Sequence, residues 1–291
     1  MAQDQRNAKL PDPPPNFCVE TELSNELLKL SFKTRLEIEY ELHGVGCRAV
    51  NESPELVELV LTEFDCQVND RKESDPSIRV LRNVVRISPV TRSNCYVNDP
   101  NIRLRFLRCE GFIVEKAVQR FIDFLEFMTE LFGDFVAERP VRISDFNQKE
   151  LEALMQSRNQ CLPFRDRSGR RVLVGVGNCN FHMEPILRYK IFMYLHWAVS
   201  EDVETQIKGV VILCWAFDET NGSTWENNIR PDMSADLRSY HKKQNNSIPV
   251  RVASWQHCFT DTPYFRFLAR LYVSDVDDRY RSVYKVHFGT K

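Results

Sequence analysis

The chain has 291 residues, 43% hydrophobic and 27% charged, the balance of a soluble globular protein with one large or two ordinary domains. Its 39 basic and 41 acidic side chains leave a formal charge of −2, so no overall basic excess draws it to nucleic acid or an anionic membrane. Nine widely spaced cysteines, an odd number with no C-x-x-C pair, argue against a disulfide framework or a zinc site and fit a reducing compartment.

The first 16 residues are polar and hold four of the prolines, which predicts a disordered leader over 1–20. They contain no apolar run of the secretory type, and no segment approaches transmembrane length, so the expected address is the cytosol. Thr21 or Ser24 caps a helix that carries Leu27, Leu28, Leu30, Leu36, Ile38 and Leu42 and ends at Gly44. A second helix starts at Ser53–Pro54, with Leu56, Leu59, Val60 and Phe64 on one face, and gives way to a loop from Asn69 to Ser77. Asn94 to Pro100 is a turn-rich break. From Asn101 the helical signal returns, and Val114, Ala117, Val118, Phe121, Ile122, Leu125 and Phe132 form one stripe that ends at Gly133. The expectation is an all-helical lobe over 21–140.

After about Arg139 the texture changes. A turn at Asp166 to Gly169 feeds a strand at Arg171 to Val176. Glu184–Pro185 opens a helix through Val199 that is apolar nearly all round and therefore buried. GVVILCWAF, Gly209 to Phe217, is the longest strongly apolar run and lacks polar alternation. It reads as a strand covered on both faces, at the centre of a sheet. A loop over Asn221 to Pro231, a polar helix over Ala235 to Lys243, a strand over Ile248 to Cys258, a helix over Pro263 to Val273 and a strand over Tyr284 to Phe288 complete the pattern. Strands alternating with helices predict an α/β layer with a mostly parallel sheet.

Catalytic patterns are weak. His257–Cys258 followed by Arg266 is similar to a cysteine-phosphatase loop, but seven residues intervene instead of five and none is glycine. GVGNCN, Gly175 to Asn180, starts like a dinucleotide fingerprint and breaks at the third glycine. Cys179, His182 and Glu184 lack the second half of a metal site. No Walker loop and no G-x-S-x-G elbow occurs. Arg103, Arg105 and Arg108 with Phe106 read as arginines on a solvated helix face, with Leu104 and Leu107 inward. Nucleic-acid binding is not expected, because aromatic stacking platforms are otherwise missing. No catalytic residue, metal or cofactor is assigned.

What stands out is apolar. Asp261–Thr262–Pro263 supplies a cap and a first-turn proline, and Tyr264, Phe265, Phe267, Leu268, Leu271 and Tyr272 cover most of the helix that follows. Core packing explains that periodicity, and so does a lid over a greasy cavity. Only the second predicts a hollow behind the helix.

Four stretches resemble the CRAL-TRIO lipid-binding family. LRFLRCEGFIVEKAVQRF (Leu104 to Phe121) is similar to its helical lead-in at Leu104, Arg105, Phe106, Leu107, Arg108, Phe112, Lys116 and Ala117. RDRSGRRVLV (Arg165 to Val174) resembles its D-x-x-G-R-P-V strand, with Arg171 in place of Pro. IPVRVASWQHCF (Ile248 to Phe259) resembles the strand before its gate helix, with the Pro249-to-His257 spacing about one residue long. YRSVYKVHFG (Tyr280 to Gly289) looks like its closing basic strand. The match runs from about Asn94 to the end of the chain in the family's order.

The resemblance implies a mostly parallel sheet flanked by helices over 141–291, preceded by a helical N-terminal lobe. It implies non-catalytic binding, and intermembrane transfer, of one lipid or other small hydrophobic molecule in a gated pocket, with transient contact with a membrane. Carried over, Val210, Ile212 and Cys214 point into the pocket from the central strand, with Val250, Val252, Phe192 and Leu195 as further walls. Phe265, Leu268 and Tyr272 face it from the gate helix, Pro263 to Val273. Two departures stand out. Trp215–Ala216 replaces the family's Asp after the central strand, and the sequence ends at Lys291, before the family's glycine-containing final segment, which predicts a more open pocket or a changed ligand. The alternative function is a protein-interaction or scaffold module whose pocket is filled by its own side chains.

Overall fold

The computed structural model describes residues 18–74, 96–156, 159–176, 184–216 and 235–289. The leader, apart from its last residues, the Asn221 to Pro231 loop and the Cys179–His182 motif lie outside the described residues.

The first expected helix is two helices. α1 (Val19–Leu28) and α2 (Phe32–Leu42) are separated at Ser31, whose extended backbone breaks the run. Its Oγ accepts from the Thr34 amide at 3.1 Å and caps α2. Leucine periodicity runs through the break, so it cannot report it. α2 ends in a Schellman turn, with Gly44 at φ +64° and the Val45 amide donating to the Tyr40 carbonyl at 2.8 Å.

α3 (Pro54–Ser74) starts at Ser53, whose Oγ accepts from the Leu56 amide. It continues to Ser74, into the stretch from Asn69 to Ser77 expected to be a loop, whose last three residues lie outside the described ones. α4 (Pro100–Cys109) is capped by Asp99, and α5 (Val114–Phe132) stops at Gly133, φ +102°. α6 (Gln148–Gln156) begins in a reciprocal box, Asn147 amide to Glu150 and Glu150 amide to Asn147.

Among the described residues the sheet has five strands in the order β1 to β5: β1 (Asn159–Arg165), β2 (Arg171–Val176), β3 (Val210–Ala216), β4 (Val252–Thr260) and β5 (Tyr284–Gly289). β1 pairs antiparallel to β2, and the other neighbours are parallel. The fold is therefore α/β with a mostly parallel sheet flanked by helices, and β3 is its central strand. β1 has no counterpart in the sequence reading. It carries Pro163, an edge-strand residue, and lacks clean alternation. The β2–β3 crossover is α7 (Pro185–Val199) and α8 (Val203–Lys208). The β3–β4 crossover contains α9 (Ala235–Ser247), and the β4–β5 crossover is α10 (Pro263–Asp275) and α11 (Asp278–Arg281). At Gly209 the chain turns into β3 with φ +79°, so close to β4 that an added Cβ would lie 2.7 Å from the Arg251 carbonyl.

There are two apolar cores, and they do not divide at residue 140. One joins α3, α4 and α5 with α7 through Phe64, Phe106, Phe121, Phe124 and Trp197. The other joins the sheet and α10 with α1 and α2 through Leu23 and Ile38. The first two helices thus side with the sheet, not with the helices that follow them.

Two buried charge sites join the parts. Glu41 on α2 is fully buried and takes a two-point contact from Arg251, ahead of β4, at 2.8 and 2.9 Å. The Arg170 guanidinium, just before β2, reaches the Glu41 carbonyl at 2.7 Å and Asp166 at 2.6 Å. On α5, Arg120 pairs with Glu110 and donates to the carbonyls of Asn245 and Ile248 and to the Tyr280 hydroxyl at 3.2–3.3 Å.

Replacing Arg120 strands several of these partners in a dry interior. Arg120→Leu is expected to lower the unfolding free energy by about 3–5 kcal/mol in urea titrations, the range for breaking a buried pair. A loss near ~1 kcal/mol would show that its partners find other contacts.

Candidate functional site

Parallel register sets the face of the sheet beneath α10. Ile212 lies beside Trp255 and Cys214 beside His257, and Trp255, His257 and Phe259 lie beside Tyr284, Val286 and Phe288. Side chains two apart share a face, so these residues form one surface. α10 starts at Thr262, whose Oγ accepts from the Phe265 amide at 3.2 Å, and it is held there by its own first turn. Its buried Phe265, Leu268, Ala269 and Val273 point to the sheet.

Helix and sheet meet ring to ring. Phe265 lies 5.8 Å from Phe259 between centroids, and Tyr272 stacks 5.3 Å from His257 and 6.4 Å from Phe259. Tyr280 of α11 meets Trp255 edge-on at 5.8 Å. At these points the protein's own rings occupy the space where the sequence reading places a hollow. Among the described residues, hollows lie elsewhere. One of about 300 Å³ lies between α5 and α9 beside Asp123, Glu130 and Lys243, and an open one of about 490 Å³ is lined by Gly44 to Cys47, Arg167 and Ser168.

The structure brings most of the expected pocket residues together. Val210, Ile212, Val250, Val252, Phe265 and Leu268 belong to one buried cluster, with Cys214, Tyr272 and Phe192 packed against it. Phe192 also reaches the helical core, where it stacks on His196. Leu195 packs in the helical core instead. Val250 precedes β4 and so lies at the base of the site.

The polar groups on this face are kept neutral. The His257 Nδ1 faces the Tyr284 hydroxyl in a short hydrogen bond, and burial, with His241 nearby, pulls the imidazole down to about 3. Burial pulls His241 down to about 4 and pushes the Cys214 thiol up to about 12. These groups offer hydrogen bonds without charge. The rings of Trp255, Phe259 and Tyr284 are absent from the expected site. Trp255, His257 and Phe259 at alternate positions signal one strand face, but nothing in the alternation says which helix covers it.

Other readings resolve differently. Cys258 is on the opposite face of β4 from His257, and burial raises its thiol above the ordinary value. Arg266 is committed to Asp261 through two bonds and lies over the Phe288 ring, so the two do not form an anion loop. The arginines of α4 are not on a solvated face as expected. Arg103 pairs with Asp65, Arg108 forks onto Glu52 at 2.7 Å, and Arg105 reaches Ser200 and lies 4.2 Å over Trp197. They are clamps between helices, while Leu104 and Leu107 point inward as expected. Among the described residues no group of three or more His, Cys, Asp or Glu side chains could hold a metal, and no helix is long and apolar enough to cross a membrane.

No protein-family model matches the sequence, and no curated protein matches it. The geometry above therefore carries the functional reading.

The neutral imidazoles make a test. His257, His241 and His196 stay uncharged in the folded protein down to about 3, 4 and 4, against an ordinary 6.5. The unfolded chain takes up protons below about 6.5 and the folded chain does not. Each therefore supplies stability that is intact above that pH and drains as the pH falls toward the folded value, by about 1.4 kcal/mol per pH unit. The melting temperature is expected to fall steadily between about pH 6.5 and 4.5, and less steeply in His196→Phe. Equal slopes in the two proteins would show that His196 is charged when folded.

Proposed function

We propose that this protein binds a small hydrophobic molecule, such as a lipid, between the sheet and α10, and that it carries or senses that molecule without chemically changing it. The observation that supports this most is the character of the α10–sheet contact. α10, capped at its own N-terminus, covers much of a continuous apolar and aromatic face with neutral polar groups set into it, and α11 and α1 cover its margins. The sequence resemblance to CRAL-TRIO proteins points to the same helix as the gate.

The closed arrangement sets the energetics. Phe265, Leu268 and Tyr272 already satisfy the sheet face, so a ligand must replace them. An acyl chain gains ~0.8 kcal/mol per buried CH₂. A chain of ordinary length therefore offsets the exposure of a few side chains, each worth about 1.5–3 kcal/mol when fully buried. A bilayer receiving the lifted helix lowers that exposure further.

The ring contacts also favour a second reading, in which the interior is simply full and the fold presents its surface to a protein partner. Native protein, extracted with organic solvent and analysed by mass spectrometry, separates the two. A hydrophobic molecule at near-stoichiometric amount is the expected result. Its absence, together with no uptake of a fluorescent fatty acid, would leave the interaction module as the reading.

A further inference from the structure

The elbow between α1 and α2 carries a feature that ligand binding alone does not use. α2 turns Ile38 and Glu41 into the sheet core. Its other face, at four-residue spacing, is apolar and open: Phe32 is 74% exposed, Leu36 41% and Tyr40 51%, with Leu28 at the end of α1 at 65%. Phe32 is the first residue of α2, so it stands at the tip of the elbow.

Charge is distributed unevenly around it. The chain as a whole is at −2, yet residues 29–35 contain Lys29, Lys33 and Arg35 and no acid. Lys29 reaches Glu26 at 2.7 Å, an exposed pair that solvent weakens. The acids of α2, Glu37 and Glu39, come after the tip, and Glu39 faces His43. The acids of α1, Glu20, Glu22 and Glu26, come before the tip, so the cations are concentrated at the elbow itself.

α1 leads from this elbow to the candidate gate. It packs against α10, α11 and β5, and Glu26 meets Arg281 at 3.3 Å. Whatever holds the elbow also holds a helix that leans on α10.

We propose that the α1–α2 elbow is a docking wedge for an anionic lipid bilayer, with Phe32 and Leu28 entering the interface and the exposed Lys29 and Lys33 facing the lipid head groups. An aromatic and a leucine flanked by cations suit that boundary, where apolar burial and attraction to anionic lipid act together. The inference deepens the carrier reading, since it names the surface with which the carrier exchanges its cargo.

The test is flotation of the full chain with vesicles of phosphatidylcholine alone and of phosphatidylcholine mixed with phosphatidylserine. Binding is expected to need phosphatidylserine and to fall as salt rises. Phe32→Glu is expected to bind about tenfold more weakly or worse, since it withdraws a ring and adds a repelled charge. Lys33→Glu is expected to lose the preference for phosphatidylserine. Both positions are exposed, so circular dichroism and melting should match the unaltered protein. Equal binding by Phe32→Glu, or no vesicle binding by the unaltered chain, overturns the proposal. A dimer that Phe32→Glu dissolves, with no vesicle binding, also overturns it and assigns the patch to a second copy. Solvent extraction of the same preparations keeps the two ideas apart: cargo without vesicle binding sinks the wedge alone, and elbow-dependent vesicle binding without cargo sinks the carrier alone.

Discussion

A guanidinium taken out of water must be given partners, and Arg120 finds them in three different parts of the chain. Glu110 comes from the turn before α5, the carbonyls of Asn245 and Ile248 from the end of α9, and a hydroxyl from Tyr280 of α11. The desolvation cost of a single unpaired ion is several kcal/mol, so the groups cannot drift apart independently. This contact therefore sets how the helical core is turned relative to the sheet. Tyr280 passes the constraint on, because it also donates to the Asn245 carbonyl and packs against Trp255 on the sheet face. The candidate site is thus tied to the helical core through Tyr280, as it is through Phe192, which packs against both cores.

The same arrangement defines what can move. The Thr262 cap holds the start of α10, and α11, tied to Arg120, follows its end. Between these anchors the helix rests on rings and aliphatic groups. These contacts are packing and ring stacking, so under the carrier reading proposed above a hydrocarbon guest would replace packing with packing. The imidazoles beneath stay neutral because the surroundings are dry. A charged group placed there would meet the same penalty, so under the carrier reading proposed above the polar end of the cargo is uncharged or remains outside.

Much of this was legible in the sequence where side-chain period and burial coincide. The unbroken run from Gly209 to Phe217 marks the central strand, the stripe on α5 marks the helical core, and Thr262–Pro263 marks the start of α10. Where the reading went astray, the period was uninformative. Leucines continue across the Ser31 break, and β1 has a proline and no alternation. The α4 arginines read as solvated, because sequence spacing says nothing of Asp65, Glu52 or Ser200 approaching from distant segments. Periodicity also shows that a helix has an apolar face but not what meets it, so α1 and α2 were grouped with their neighbours in sequence instead of with the sheet. Leu195 was misplaced for the same reason, since α7 is apolar nearly all round and serves both cores.

The union of Glu41 with Arg251 spans 210 residues of chain. A ribosome makes α2 long before the arginine that neutralises its buried carboxylate. Until then Glu41 has nowhere dry to go, and the first two helices have no finished sheet to lie against. These two helices therefore settle only after the sheet they lie against has been made, and during that wait their leucines and phenylalanine stand open to solvent.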